Sequence, residues 1–236
     1  MYELTDWNCR LLPGGLFPEL SASQNADAIK WLQSRYHFSR FCMMADYDCK
    51  KESVTEFILK RDRALRLLRD ALPENTKLIA AGSALLVTDL STVAELDRLT
   101  LPSGRFLPLS MPIGAYADWM DTELNRLLYK RHLSPLFLSF ERCILLYSPE
   151  IVKKLLRVPH AAFQFGFHTL ADPKITRVMS ALLEKRTTVL LGSGLGAPQK
   201  LSTFDFDYYR EQAKVNLDVA DIQQLFHISH VFYRED

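Results

Sequence analysis

Tyr2-Glu3-Leu4-Thr5-Asp6-Trp7-Asn8-Cys9-Arg10-Leu11-Leu12-Pro13-Gly14-Gly15 has the pattern of a first β-strand that runs into a loop. Apolar and polar residues alternate as far as Asp6, and Leu-Leu-Pro-Gly-Gly then marks a turn. The pattern predicts that Asp6 lies at the C-terminal end of the strand. In a parallel barrel or sheet, sites are built at that end. Taken alone, however, Asp6 is more simply explained as a cap or turn residue.

Length and composition favour one domain over residues 1–236, because 236 residues with 48% hydrophobic content can fill one sizeable core. The 29 basic and 28 acidic residues leave a net charge of +1. This balance provides no overall field for attracting nucleic acid or an anionic membrane, so neither is expected as a partner.

A cytoplasmic location without a transmembrane segment is expected. No apolar run approaches the roughly 20 residues of a membrane helix, and the N-terminus lacks a basic segment followed by an apolar one. The cysteines have no zinc-site spacing and no Cys-x5-Arg phosphatase loop. We interpret them as reduced thiols, mostly buried: Cys9, Cys42, Cys49 and Cys143.

Predicted strands and helices alternate about six or seven times, which indicates an α/β protein and favours a barrel over an open sheet. After the first strand, further strands are predicted over 38–45, 77–87, 135–138, 161–167 and 187–191. Helices are predicted from about residue 23, from the capping box at Ser53, and over 116–129, 151–156, 173–183 and, as a terminal pair, 206–232. A hairpin-like turn is predicted at Pro102-Ser103-Gly104.

The segment Asp6-Trp7-Asn8-Cys9-Arg10-Leu11-Leu12-Pro13-Gly14 resembles the Asp-x-His-Cys-His-x-Leu-Pro-Gly opening of the bacterial capsule-type tyrosine phosphatases. These enzymes belong to the PHP superfamily, named for polymerase and histidinol phosphatase. The resemblance extends from Leu4 to about Pro198. It implies a single distorted (β/α)7 TIM-like barrel of the PHP type. The helices predicted from the residues after 206, roughly 206–236, are expected to pack on this barrel.

The same resemblance implies that most metal ligands of the family have been replaced here. The two histidines of the opening motif are Asn8 and Arg10, and a permanently protonated guanidinium has no lone pair for a cation. A histidine pair after the second strand aligns with Asp46 and Tyr47, of which only Asp46 could still bind a hard cation. The glutamate of a Gly-x-Glu motif aligns with Ala84, and the histidine of an Ala-His-Pro-Glu-Arg motif aligns with Ser139. The two ligands of a Ser-Asp-Ala-His motif align with Gly194 and Gly196.

Glu141 and Arg142 persist from the Ala-His-Pro-Glu-Arg motif. Arg142 could hold an anion bidentately, although a salt bridge to a nearby carboxylate explains it equally well. His168 is the only histidine expected at the functional end of the barrel, and a lone histidine there is more often structural than a ligand.

The leading hypothesis is therefore a catalytically degenerate relative of the capsule phosphatases that acts by binding. The resemblance implies as partners a bacterial tyrosine kinase, its phosphotyrosine tail, or a second copy of the chain. No cofactor is expected under this hypothesis.

Two alternatives remain open. In the first, an active phosphoesterase has a rebuilt site that uses Asp6, Asp46, Asp48, Arg142 and His168 with magnesium or manganese. In the second, a metal-free anion pocket is formed by Arg10, Arg142 and the glycine loop with Ser193, Gly194 and Gly196. Such loops can present N–H groups to phosphate, although a simple turn with relaxed sterics also explains this one.

Overall fold

A computed structural model describes residues 4–14 and 21–227 and contains seven parallel strands in one sheet, arranged in chain order. Each strand therefore pairs with the next one along the chain, and helical segments connect them. The strands are β1 Leu4–Cys9, β2 Phe38–Tyr47, β3 Lys77–Leu85, β4 Phe106–Ser110, β5 Ser134–Phe137, β6 Ala162–Gly166 and β7 Val189–Gly192.

The α-helices of the described residues lie on the outside of this sheet. They are α1 Ala22–Tyr36, α2 Val54–Asp70, α3 Asp118–Asn125, α4 Phe140–Leu146, α5 Pro149–Leu155, α6 Pro173–Glu184, α7 Phe206–Asn216 and α8 Val219–His227. A π-helical turn, Arg126–Lys130, continues α3. No described helix is long and apolar enough to cross a bilayer.

The sheet curves until its last strand approaches its first. The Gly194 N–H donates to the Asn8 carbonyl at 2.9 Å, and the Arg10 N–H donates to the Leu195 carbonyl at 2.8 Å. Gly192 lies so close to β1 that an added Cβ would be 2.5 Å from the Asn8 nitrogen. The fold is thus a nearly closed (β/α)7 TIM-like barrel, and the predicted fold class is confirmed.

Two hydrophobic clusters sit on the two faces of the sheet. A small inner cluster fills the barrel and consists mainly of Trp7, Cys42, Met44, Ala81, Leu136, Leu138, Ala162 and Leu190. A larger outer cluster packs the helices against the strands. Side chains alternate between the two faces of a strand. A residue two positions after a member of the inner cluster therefore also points into the barrel, closer to the C-terminal ends of the strands.

Local sequence explains where several helices begin. Ser21 with Gln24 and Ser53 with Glu56 form reciprocal capping boxes at the starts of α1 and α2. Asp172 caps α6 and is followed by a proline at the first helical position. The helix starts predicted from Ser53 and Asp172 are confirmed.

Three details differ from the sequence-based expectations. Asp6 lies inside β1, not at its end, because the strand continues to Cys9. The predicted turn at Pro102-Ser103-Gly104 is present, because the Gly104 N–H donates to the Leu101 carbonyl at 2.7 Å, but the strand after it, β4, pairs in parallel with β3 and β5. The helix α4 was not predicted at all, and the part of the predicted terminal helices beyond residue 227 lies outside the described residues.

Candidate functional site

A cavity of about 810 Å³ opens at the C-terminal ends of the strands, and we call it the mouth cavity. A volume of this size is typical of sites that bind small molecules. Its polar lining comes from residues on or just after six of the strands: Asn8, Arg10, Asp46, Asp48, Lys50, Lys51, Ser83, Ser110, Ser139, Arg142 and Gly194.

Arg10 forms an ion pair with Asp46 at the centre of this lining. Its Nη1 donates to both carboxylate oxygens of Asp46, at 2.6 and 2.5 Å, and its Nε donates to Asn8 Oδ1 at 3.1 Å. The Ser83 hydroxyl donates to Asp46 Oδ1 at 2.6 Å. The carboxylate that could have bound a cation is therefore already neutralised by a side chain of the protein itself.

Strand register explains why Asp46 and Ser83 meet. The two residues are direct partners in the β2–β3 ladder, as are Tyr47 and Ala84 one position later. Asp46 and Ser83 follow the inner residues Met44 and Ala81 by two positions, so both face the mouth cavity.

The expected remnant positions Tyr47 and Ala84 are buried in the outer cluster, and Tyr47 also lines the mouth cavity. The Tyr47 ring packs edge-on against Phe57, 5.4 Å between centroids. For β3, the residue beside Asp46 is thus Ser83, and the alignment through Ala84 identified the wrong face of the strand.

Gln164 connects β1 to the end of β5. It is fully buried in β6, where its Oε1 accepts hydrogen bonds from Asn8 Nδ2 at 3.0 Å and from the Ser139 backbone N–H at 2.9 Å. Its Nε2 donates to the Phe165 carbonyl at 2.5 Å. Asn8 and the backbone of Ser139 are thus held in place by a residue that the sequence analysis did not assign to the site.

Asp6 is buried beneath the mouth cavity, with 1% of its surface exposed. Its Oδ1 accepts from the N–H groups of Asn8 and Ser193, at 3.0 and 2.8 Å, and its Oδ2 accepts from the Ser193 hydroxyl at 2.5 Å. Burial raises the pKa of Asp6, and the bonds from Ser193 and Asn8 partly oppose that shift. The carboxyl therefore connects β1 to the loop after β7.

The glycine loop after β7 uses its backbone donors internally. The N–H of Ser193 is bonded to Asp6, that of Gly194 to the Asn8 carbonyl, and that of Leu195 to the Ser193 hydroxyl at 3.1 Å. These three N–H groups are not available to an anion. The cradle proposed from Ser193 and Gly194 is consequently not formed by their backbone, and this loop closes the barrel instead.

Glu141 and His168 lie together beside the mouth cavity. Glu141 is buried in the first turn of α4, where its Oε2 accepts from the Gly166 N–H at 3.3 Å. Burial raises the pKa of Glu141, and the nearby His168 acts in the opposite direction. The exposed His168 ring lies over Gly166, where it would contact an added Cβ at 2.4 Å.

Three other histidines, His37, His132 and His160, lie between elements and have left-handed backbone angles.

Arg142 remains available for a ligand. Its side chain is exposed, lines the mouth cavity, and makes no side-chain hydrogen bond or ion pair to another described residue. The lining also contains aliphatic side chains with unusual exposure, with 47% of Leu85, 74% of Ile113 and 54% of Leu146 accessible to solvent. The mouth cavity thus combines a free cation with an apolar wall.

The donor set does not fit a di- or trinuclear metal centre. In residues 4–14 and 21–227, no three histidine, cysteine or acidic side chains are grouped so that they could hold a metal ion. Asp6 and Asp46 are each engaged by other groups, and Arg10 lies beside them. The proposed cluster of Asp6, Asp46, Asp48 and His168 is therefore not assembled.

No protein-family model matches the chain, and no curated protein matches its sequence. Solved structures do match. A chain from the crystal structures of YwqE from Bacillus subtilis and CpsB from Streptococcus pneumoniae, described as unique metal-dependent tyrosine phosphatases, gives a TM-score of 0.69 at 13% identity. The match covers 97% of this chain and 94% of that chain.

The similarity to these phosphatases lies in the barrel fold. A β-aspartyl dipeptidase from Fervidobacterium islandicum shares the barrel more distantly, with a TM-score of 0.51 and 12% identity over 98% of this chain and 73% of that chain. At these identities the likeness concerns the fold, and the chemistry has to be argued from the site.

Proposed function

We propose that this protein is a phosphatase-related binding protein that holds an anionic, phosphate-type ligand in the mouth cavity without hydrolysing it. The observation that carries the proposal is the Arg10–Asp46 pair, in which a guanidinium lies among the side chains that align with metal ligands. Only 15% of the Arg10 side chain is exposed, so this positive charge is built into the site.

Electrostatics favour an anion in this cavity. Its lining contains four cationic side chains, Arg10, Lys50, Lys51 and Arg142, against the two acidic ones, Asp46 and Asp48. Asp46 is neutralised by Arg10, and Asp48 pairs with Lys51 at 3.0 Å. Arg142 is the best placed to bind the ligand, because a guanidinium can bind a phosphate through two parallel hydrogen bonds.

The apolar wall favours a ligand whose anionic group is attached to an apolar body. A phosphotyrosine side chain has both parts, and the structurally similar YwqE and CpsB are described as tyrosine phosphatases. We therefore propose a phosphotyrosine tail, such as that of a bacterial tyrosine kinase, as the natural ligand.

The test measures thermal stabilisation by a phosphotyrosine peptide. We expect the peptide to raise the Tm of the wild type and to have no such effect on Arg142→Ala, because a ligand that binds only the folded state stabilises it. Arg157→Ala is the matched control, since Arg157 is an exposed arginine outside the cavity lining. The unphosphorylated peptide should not stabilise either protein.

The competing hypothesis of an active metal-dependent phosphoesterase is tested on the same preparation. We expect no stoichiometric manganese after incubation and dialysis, and no manganese-dependent hydrolysis of an aryl phosphate. Turnover that requires manganese and is lost in Asp46→Asn would overturn the proposal. So would equal stabilisation of wild type and Arg142→Ala by the phosphopeptide.

A further inference from the structure

A second, smaller cavity of about 210 Å³ lies on the other side of Gly194 from the mouth cavity. Gly194 lines both cavities, and its conformation at φ 62° leaves open space where a Cβ would be. The second cavity is formed by the turns that follow β6 and β7, the 3₁₀ turn Pro198–Thr203 and the start of α7. Its lining is His168, Ser193, Gly194, Leu195, Lys200, Thr203, Phe204 and Tyr209.

The hydroxyl groups of Ser193 and Thr203 are occupied within the protein. Ser193 donates to Asp6, and Thr203 donates to the Lys200 carbonyl at 3.0 Å. The side chains of His168, Lys200 and Tyr209, by contrast, make no hydrogen bond or ion pair to any other side chain or backbone group in the described ranges. Three donors from three different elements therefore line one small cavity.

The nearby carboxylates form no hydrogen bond with these donors, and the carboxylate that lies close to His168 is that of Glu141. Asp6 is saturated by Ser193 and Asn8, and Glu141 is buried against the Gly166 N–H. Asp205 caps α7 by accepting from the Tyr208 N–H at 3.0 Å. The donors are thus left for an acceptor from outside the chain.

We infer that this second cavity binds a phosphate-sized oxyanion through Lys200, Tyr209 and His168. An ammonium group is a common phosphate ligand, and a phenol and an imidazole N–H add donors from other directions. The cavity is smaller than the 300–1,000 Å³ usual for drug-sized ligands, so it fits a single anionic group. That group is either a free phosphate or the second anionic group of a molecule that reaches past Gly194 from the mouth cavity.

Inorganic phosphate is the probe, titrated by isothermal calorimetry at constant ionic strength. We expect saturable binding by the wild type, weakened at least tenfold in Lys200→Ala and a few-fold in Tyr209→Phe. Lys214→Ala is the matched control, because Lys214 is an exposed lysine of α7 that pairs with Glu211. The titrations are repeated in an Arg142→Ala background, which lacks the anion contact proposed for the mouth cavity, so that the remaining phosphate binding reports on the second cavity.

An alkane bisphosphate distinguishes the two sources of the anion. One ligand spans both cavities if the bisphosphate binds more tightly than inorganic phosphate and if both Lys200→Ala and Arg142→Ala weaken its binding. Equal affinity for the two compounds indicates a free phosphate. The inference is overturned if the wild type binds no phosphate, or if Lys200→Ala binds it as tightly as Lys214→Ala does.

Discussion

Gln164 shows at the scale of one residue how the mouth cavity is held in shape. A fully buried amide in an otherwise apolar strand must satisfy its hydrogen bonds inside the protein, and Gln164 does so with Asn8, Ser139 and Phe165. An amide of this kind is visible in the sequence as a polar residue inside the run 161–167, but its partners are not.

Replacement of this amide should be costly. In Gln164→Leu, a change of similar volume, Asn8 Nδ2 and the Ser139 N–H both lose their acceptor in a buried setting. We expect the free energy of unfolding to fall by about 2–4 kcal/mol, measured by urea denaturation. Gln199→Ala, at an exposed position, is the control. A loss for Gln164→Leu no larger than that of the control would contradict the assigned role.

Asp6 should make stability depend on pH. Burial raises its pKa in the folded state, so the folded chain holds the proton more tightly than the unfolded chain. Unfolding then releases a proton at pH values between the two pKa values, and stability falls as the pH rises through that window.

The variant Asp6→Asn tests this linkage. Its amide keeps the Oδ1 acceptor for Asn8 and Ser193 but cannot ionise. We expect the unfolding free energy of Asp6→Asn, relative to that of the wild type, to increase as the pH rises from about 4 toward neutrality. A difference that stays constant over the whole series of urea titrations would count against an ionisable Asp6 with a raised pKa.

At the scale of elements, α2 shows how directly local sequence specifies a helix start. Ser53 Oγ accepts from the Glu56 N–H at 3.3 Å, and Glu56 Oε2 accepts from the Ser53 N–H at 2.9 Å. Both groups would otherwise be unpaired at the N-terminus.

Ser53→Ala removes the cap of α2 and should lower the free energy of unfolding by about 1 kcal/mol in chemical denaturation. Ser34→Ala is a matched control, because Ser34 is exposed within α1 and bonds only to the Trp31 carbonyl. We expect that change to be neutral or slightly stabilising, since alanine favours a helix interior. Equal losses in the two variants would argue against the capping role.

At the scale of the whole molecule, closure of the barrel depends on the approach of β7 to β1. In Gly192→Ala, the new methyl group would meet Asn8 backbone and Cβ atoms at 2.5–3.0 Å. We expect a loss of about 2–3 kcal/mol in unfolding free energy, because two strands have to move apart.

Gly104→Ala is the control for this closure. Unlike Gly192, Gly104 has a positive φ, 69°, and no atom lies within 4 Å of its added Cβ. Its cost should therefore come only from backbone strain, about 1 kcal/mol. If Gly192→Ala unfolds at the same urea concentration as Gly104→Ala, the close contact between β7 and β1 is not required for stability.

The amino-acid sequence by itself determined the α/β barrel, because helix caps and apolar periodicity act over a few residues and can be read locally. The resemblance of the first strand and its loop also led to the correct fold. Only the tertiary structure decided which polar residues meet. Asp46 pairs with Arg10 and Ser83, not with Asp6, and Gln164 joins Asn8 to Ser139. Such partners are set by strand register and barrel closure, which bring together residues up to 187 positions apart in the chain, as in the bond from Ser193 to Asp6.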